Sequence, residues 1–135
     1  MIVVDTNTIA YFYLNTDKSK QAEAVNARDP DWVVPVLWKS EFRNVLTLYM
    51  RRELLSLEDV LEIAQQTEAE MSVREFAVAT SLVLELAAQS SCSAYDCEFV
   101  ALAQELAVPL VTADKRVLSA FPAIAVSLEN FVQTP

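Results

Sequence analysis

Four acidic residues occupy places where the fold would be better served by something neutral. Asp5 and Asp114 each close an apolar run, in VVDTN and LVTAD. On a 3.6-residue wheel Glu41 falls on the stripe of Leu37, Val45 and Leu48, beside Trp38, Phe42 and Tyr49, while Asp96 shares a stripe with Val100, Ala103 and Ala107. A buried, unpaired carboxylate is costly enough that it finds a partner or becomes protonated. The chain has only 10 Lys and Arg, and none stands on these stripes. A divalent cation is the other available partner. With no histidine and two cysteines, zinc and iron are poor candidates, whereas four carboxylates suit a hard, oxygen-seeking ion such as Mg²⁺ or Mn²⁺. Acids holding one or two such ions can bind phosphodiester oxygens, generate hydroxide from water and stabilise a leaving oxygen. Thr6 and Asn7, next to Asp5, are candidates to orient it. Each acid also has an ordinary structural use, Asp5 and Asp114 as helix caps and Asp96 as a first-turn acid. Glu41, in the middle of a helical pattern, has none.

The elements that must position these groups are legible in the patterning. The apolar run at 2–4 and WVVP at 32–35 read as buried parallel strands, VPLVT at 108–112 and AIAV at 123–126 as two more, and 74–78 as a short one. Between them lie helical patterns at about 8–15, 17–28, 36–53, 56–72, 80–90, 93–106 and 115–120, with a terminal turn or helix in SLENFV. Ser56 with Asp59 has capping-box spacing, and Thr80 is placed to cap the helix that follows it. Strands alternating with helices predict a single α/β domain over 1–135, with a small parallel sheet flanked by helices. Such sheets collect ligands at the carboxyl ends of their strands, where Asp5 and Asp114 stand.

Composition excludes several classes. At 53% hydrophobic and 21% charged residues, the chain is a packed domain rather than a disordered one. The first strand begins at Ile2 with no basic leader, and the most apolar stretch, AVATSLVLELAA, is too short to cross a bilayer. A cytoplasmic protein without a membrane partner is expected, with Cys92 and Cys97 as reduced thiols. The net charge of −9 argues against a general nucleic-acid-binding surface and leaves a basic partner or metal-holding acids as its meaning.

VVDTN at 3–7, SEFRNVL at 40–46, SAYDCEFVALA at 93–103 and LVTADKRVL at 110–118 resemble, in order and spacing, the successive acidic motifs of the PIN-domain nucleases, and most of all the VapC-type toxins. The resemblance implies a Mg²⁺- or Mn²⁺-dependent ribonuclease cutting single-stranded or loop RNA, with Asp5, Glu41, Asp96 and Asp114 as catalytic metal ligands. Thr112 resembles the hydroxyl residue that often precedes the last acid by two positions and orients a carboxylate or water. A homodimer is implied, together with a small antitoxin whose tail enters the acidic groove, often with a basic residue. Two departures stand out. Arg116 and Val117 occupy positions where many relatives carry another acid, which bears on a second metal ion. The chain also has no glycine, so that Ala107 stands before the VPLVT strand.

Competing classes fare worse on the same residues. A receiver domain needs a phosphoacceptor Asp at the end of its third strand, but the middle of this chain offers Glu58 and Asp59 within a helical pattern. A phosphatase of the Asp-x-Asp type would need an acid where Asn7 stands. A non-catalytic PIN scaffold would usually have lost an acid, and all four are present. Arg43, Lys115 and Arg116 are candidate phosphate contacts. Tyr11, Phe12 and Tyr13 are candidates for stacking on a base, with core packing as the ordinary alternative.

Overall fold

The computed structural model describes residues 1–134. Five strands, β1 (Ile2–Val4), β2 (Trp32–Pro35), β3 (Glu75–Phe76), β4 (Leu110–Val111) and β5 (Ala125–Val126), form one parallel sheet in the order β3-β2-β1-β4-β5. Val3 lies opposite both Val33 and Leu110, so β1 is the central strand and is paired on both edges. Its three residues are buried, which is why the run carries no polar alternation.

Among the described residues eight α-helices flank the sheet: α1 (Thr6–Tyr13), α2 (Ser19–Arg28), α3 (Trp38–Arg51), α4 (Leu57–Met71), α5 (Thr80–Ala88), α6 (Ala94–Leu106), α7 (Lys115–Ala120) and α8 (Leu128–Gln133). Helix α6 packs across β1, β2 and β4, and its run from Phe99 to Ala103 is buried. Helix α3 packs against α1 and α4. Its core face is Trp38, Phe42 and Leu46; the neighbouring stripe with Leu37, Glu41 and Val45 is only half-buried, and Leu48 is exposed. Glu41 therefore lies on the rim of the core, one step from the residues that fill it. No described helix is long and apolar enough to cross a membrane.

The sequence places most elements well and misplaces their ends. Helix α1 starts at Thr6, two residues early, because Asp5 caps it by accepting the Thr8 N–H. Helix α2 starts at Ser19 rather than 17. Thr80 is the first residue of α5 and not its cap, since Ala79 holds the cap position without a side-chain bond. The Ser56–Asp59 capping box forms as its spacing predicts.

Ala107 shows what the lack of glycine costs. At φ 55° and ψ 42° it ends α6 in the left-handed region. The bonds Val108 N–H to Ala103 O (3.0 Å) and Ala107 N–H to Gln104 O (3.2 Å) complete a Schellman turn. A β-carbon crowds the following carbonyl in this conformation at a cost of roughly 1–2 kcal/mol. Ala107→Gly is therefore expected to stabilise the fold by about 0.5–1 kcal/mol after the extra chain entropy of glycine is deducted. A thermal unfolding scan checks this, and a lowered midpoint would count against the strain argument.

Candidate active site

The strand order reverses around β1. The chain steps from β1 to β2 to β3 on one side, then crosses by α5 and α6 to β4 on the other. This is the switch point at which parallel sheets open a crevice beyond their carboxyl ends. A cleft of about 420 Å³ lies there, and Asp5, Thr6, Asn7, Glu41, Asp96, Thr112 and Asp114 all line it. The four acids singled out from the sequence and the three candidate orienting residues thus line one cleft.

Asp5 is the most constrained. Its Oδ1 accepts the Thr8 N–H at 2.8 Å and the Thr8 hydroxyl at 2.6 Å, and its Oδ2 accepts the Thr112 hydroxyl at 2.5 Å. The Thr112 hydroxyl in turn accepts the Asp114 N–H at 3.0 Å, so one side chain ties the ends of β1 and β4 together. Glu41 Oε1 accepts the Thr6 hydroxyl at 2.7 Å. The buried polar residues of the described chain are Thr6, Thr8, Thr67 and Thr112, and all but Thr67 donate to Asp5 or Glu41. Burying a hydroxyl is worthwhile only when it is hydrogen-bonded, and here the bonds fix the orientation of two acids.

Asp96 and Asp114 serve two purposes. Asp96 is the third helical residue of a capping box, accepting the Ser93 N–H at 3.3 Å through Oδ2. Asp114 caps α7, accepting the Arg116 and Val117 N–H groups at 2.8 and 3.2 Å through Oδ1. The structural use predicted for each acid is real and consumes one oxygen. Asp96 Oδ1, Asp114 Oδ2 and Glu41 Oε2 accept no hydrogen bond from another described residue. These three oxygens are left free for a ligand.

The acids feel one another. Burial raises the pKa of Asp5, against the pull of the Thr112 and Thr8 hydrogen bonds, and the Asp114 charge adds to the rise. Burial likewise raises Glu41, with Thr6 opposing and Asp96, Asp5 and Glu98 adding. Glu98 points away from the stripe of Asp96 and does not line the cleft, yet its charge reaches Glu41. Among the described residues no three acids meet closely enough to form a ready-made coordination sphere. The donor set is nevertheless all oxygen, since the lining contains neither thiol nor imidazole. It fits a hard divalent cation and not a soft one.

Other expectations resolve here. Cys92 and Cys97 are buried free thiols outside the cleft, flanking the Ser93 cap at the positions of a hydrophobic staple. Arg43, Lys115 and Arg116 do not line the cleft, and Arg43 lies 3.4 Å from Glu68. Asn7 lines it but is exposed and makes no side-chain hydrogen bond to the described residues, so the geometry gives it no hold on Asp5. Sequence reading missed Thr8, whose three-residue offset from Asp5 is the spacing of a helix cap and was the signal available. It also missed Ser40, Asn44 and Tyr95 on the cleft wall, although they lie inside the SEFRNVL and SAYDCEFVALA motifs around Glu41 and Asp96.

A five-stranded parallel sheet with four carboxylates lining the cleft at its switch point defines an α/β protein. The PIN domain family model matches residues 2–124, and the chain belongs to that family. It is 29% identical over 126 residues to Ribonuclease VapC3 of Pyrobaculum aerophilum, covering 91% of this chain and 96% of the relative. The fold is shared with the crystal structure of PAE2754 from Pyrobaculum aerophilum (TM-score 0.76, 15% identity, 98% of this chain and 93% of the other). It is shared too with FitAcB from Neisseria gonorrhoeae (TM-score 0.68, 16% identity, 96% and 99%).

Proposed function

We propose that this protein is a Mg²⁺- or Mn²⁺-dependent endoribonuclease, the toxin of a toxin–antitoxin pair acting in the cytoplasm as a single-domain subunit of a homodimer. The observation that carries the nuclease reading is the cleft itself: four carboxylates from β1, α3, α6 and the β4–α7 junction, two of them fixed by buried threonine hydroxyls. Family membership and the similarity to Ribonuclease VapC3 support it. Glu41 Oε2, Asp96 Oδ1 and Asp114 Oδ2, together with the Asp5 carboxylate at the sheet's switch point, would hold the ion. When bound, such an ion neutralises phosphate oxygens and lowers the pKa of water.

The chain's own residues do the rest. Thr6, Thr8 and Thr112 hold Glu41 and Asp5 in one rotamer, so that no reorganisation is needed as charge develops on the phosphate. Leu37, Val45, Phe99, Leu110 and Val117 form the apolar part of the wall and keep bulk water from that face. Water attacking phosphorus in line with the departing 3′ oxygen leaves a 5′-phosphate and a 3′-hydroxyl. The antitoxin would place a basic side chain among the acids, which charge-assisted hydrogen bonds favour. Leu54, Leu57 and Leu61, exposed at the α3–α4 corner, are apolar surface available to a protein partner.

The test is direct. Purified protein with single-stranded RNA and Mg²⁺ or Mn²⁺ is expected to give fragments with 5′-phosphates, and EDTA to stop the reaction. Intact RNA across a mixed-sequence pool, with metal binding confirmed by calorimetry, would leave a non-catalytic PIN scaffold as the better reading.

A further inference from the structure

The cleft presents a problem for any RNA that enters it. Its lining includes four carboxylates and not one Lys or Arg, in a chain of net charge −9. In the first two turns of α3, beside the cleft residues Ser40, Glu41 and Asn44, both cations are engaged with acids, Lys39 with Glu75 at 3.6 Å and Arg43 with Glu68 at 3.4 Å. Phosphate attraction by basic side chains, the usual source of nucleic-acid affinity, is therefore missing from the site. Beyond the hold of the proposed ion on one phosphate, grip on the strand falls to uncharged groups of the lining.

One residue in the lining answers that need. Tyr95 is 62% exposed, an unusual state for a large ring on a cleft wall. Among the described residues it has no aromatic neighbour and no hydrogen bond. The rings considered from the sequence are occupied elsewhere. Phe12 packs edge-on to Tyr13 and Trp32 at 5.1 and 5.2 Å, Tyr13 donates to Glu70, and Lys18 lies 5.5 Å above Tyr11. Tyr95 is also tied to the chemistry by its backbone: it is the second residue of α6, directly before Asp96, inside the capping box that fixes that turn. The backbones that carry ring and carboxylate are thus fixed in one helical turn. Ser40, Asn44 and Asn7 supply uncharged hydrogen-bonding groups to the same cleft.

We infer that Tyr95 is the stacking platform for one unpaired nucleobase of the RNA, next to the phosphate that Asp96 faces, with Asn7, Ser40 and Asn44 as the groups within reach of that base. The inference rests on the nuclease reading and adds to it the residue that holds the strand: Tyr95, gripping one base by its face and not by its phosphate. Every base has a π-face, so stacking gives affinity and sets where the strand lies, while the three uncharged side chains can discriminate between base edges. A base inside a duplex could not present its face, so paired RNA is excluded by the same contact.

The experiment measures binding apart from cleavage. The Asp5→Asn protein, which is expected not to cut, is titrated in Mg²⁺ with a fluorescently labelled single-stranded RNA that the wild-type protein cleaves. A set of the same RNA with one abasic site moved along it is titrated in parallel. Adding Tyr95→Ala is expected to weaken binding about 5- to 150-fold, the range for loss of one base–aromatic stack. One abasic position is expected to give the same loss with Tyr95 present and none once it is removed. Tyr95→Phe is expected to bind as the parent does, since the ring is kept. Because the side chain is exposed, circular dichroism should show both variants folded. Equal binding with and without Tyr95→Ala, or an abasic effect that survives the substitution, overturns the stacking platform while leaving the nuclease intact. Failure of the wild-type protein to cut any RNA, with no binding by Asp5→Asn, overturns the nuclease reading first.

Discussion

Asp5→Asn is expected to cut RNA at least ~100-fold more slowly than the parent protein, the scale of losing one key electrostatic group in an active site, and to remain folded. The substitution keeps the shape and most of the hydrogen bonds. The new amide oxygen can still accept the Thr8 N–H and hydroxyl, which cap α1 at 2.8 and 2.6 Å, and the amide nitrogen can donate to the Thr112 hydroxyl. What disappears is the charge, and with it a burial penalty and the repulsion from Asp114 that together raise the Asp5 pKa. The thermal midpoint without metal should therefore stay level or rise while activity collapses. Asp96→Asn is expected to behave alike, because its amide can still accept the Ser93 N–H through oxygen. A folded Asp5→Asn protein with near-normal cleavage would remove Asp5 from the metal site.

The second large effect concerns the cation. Anything that binds only the folded state stabilises it by RT ln(1 + [L]/Kd), about 2.7 kcal/mol at a hundredfold excess over Kd, which is roughly a 10 °C rise in midpoint for a domain of this size. Mg²⁺ or Mn²⁺ should give such a rise over EDTA, and Asp5→Asn should blunt it. The pH dependence gives a sharper signature. Asp5 and Glu41 have folded pKa values raised above their ordinary 3.8 and 4.5, chiefly by burial. In the metal-free protein the folded state thus holds protons more tightly than the unfolded chain. The stability these two acids contribute is full below their ordinary values and is lost as pH rises through the raised ones. Cation binding needs the ionised forms and follows the opposite course. The midpoints of metal-free and metal-loaded protein should therefore move apart as pH rises across that window. Parallel slopes, or no shift with either ion, would mean that these carboxylates do not hold it.

Much of this site was legible before any coordinates. A carboxylate on an apolar helical stripe, as at Glu41, or at the close of a buried strand, as at Asp5 and Asp114, conflicts with packing, and such conflicts mark function. The periodicities of 2–4, 32–35, 36–53 and 93–106 gave the elements, because continuous apolar runs and 3.6-residue stripes are properties of local sequence. Three things required the tertiary structure. The order β3-β2-β1-β4-β5 depends on which strand each crossover reaches, and that order alone brings Thr112 within hydrogen-bonding distance of Asp5, 107 residues away. The hold of Thr6 on Glu41 likewise joins α1 to α3 across the core's rim, where the wheel alone put Glu41 in line with Leu48, which is exposed. The third is Tyr95. Its neighbours in sequence mark it as an ordinary first-turn residue, and only the packing of α6 against β1, β2 and β4 leaves its ring standing open at the mouth of an acidic cleft. A sequence records what each residue prefers, but whether a side chain is left without a partner depends on every element that packs around it.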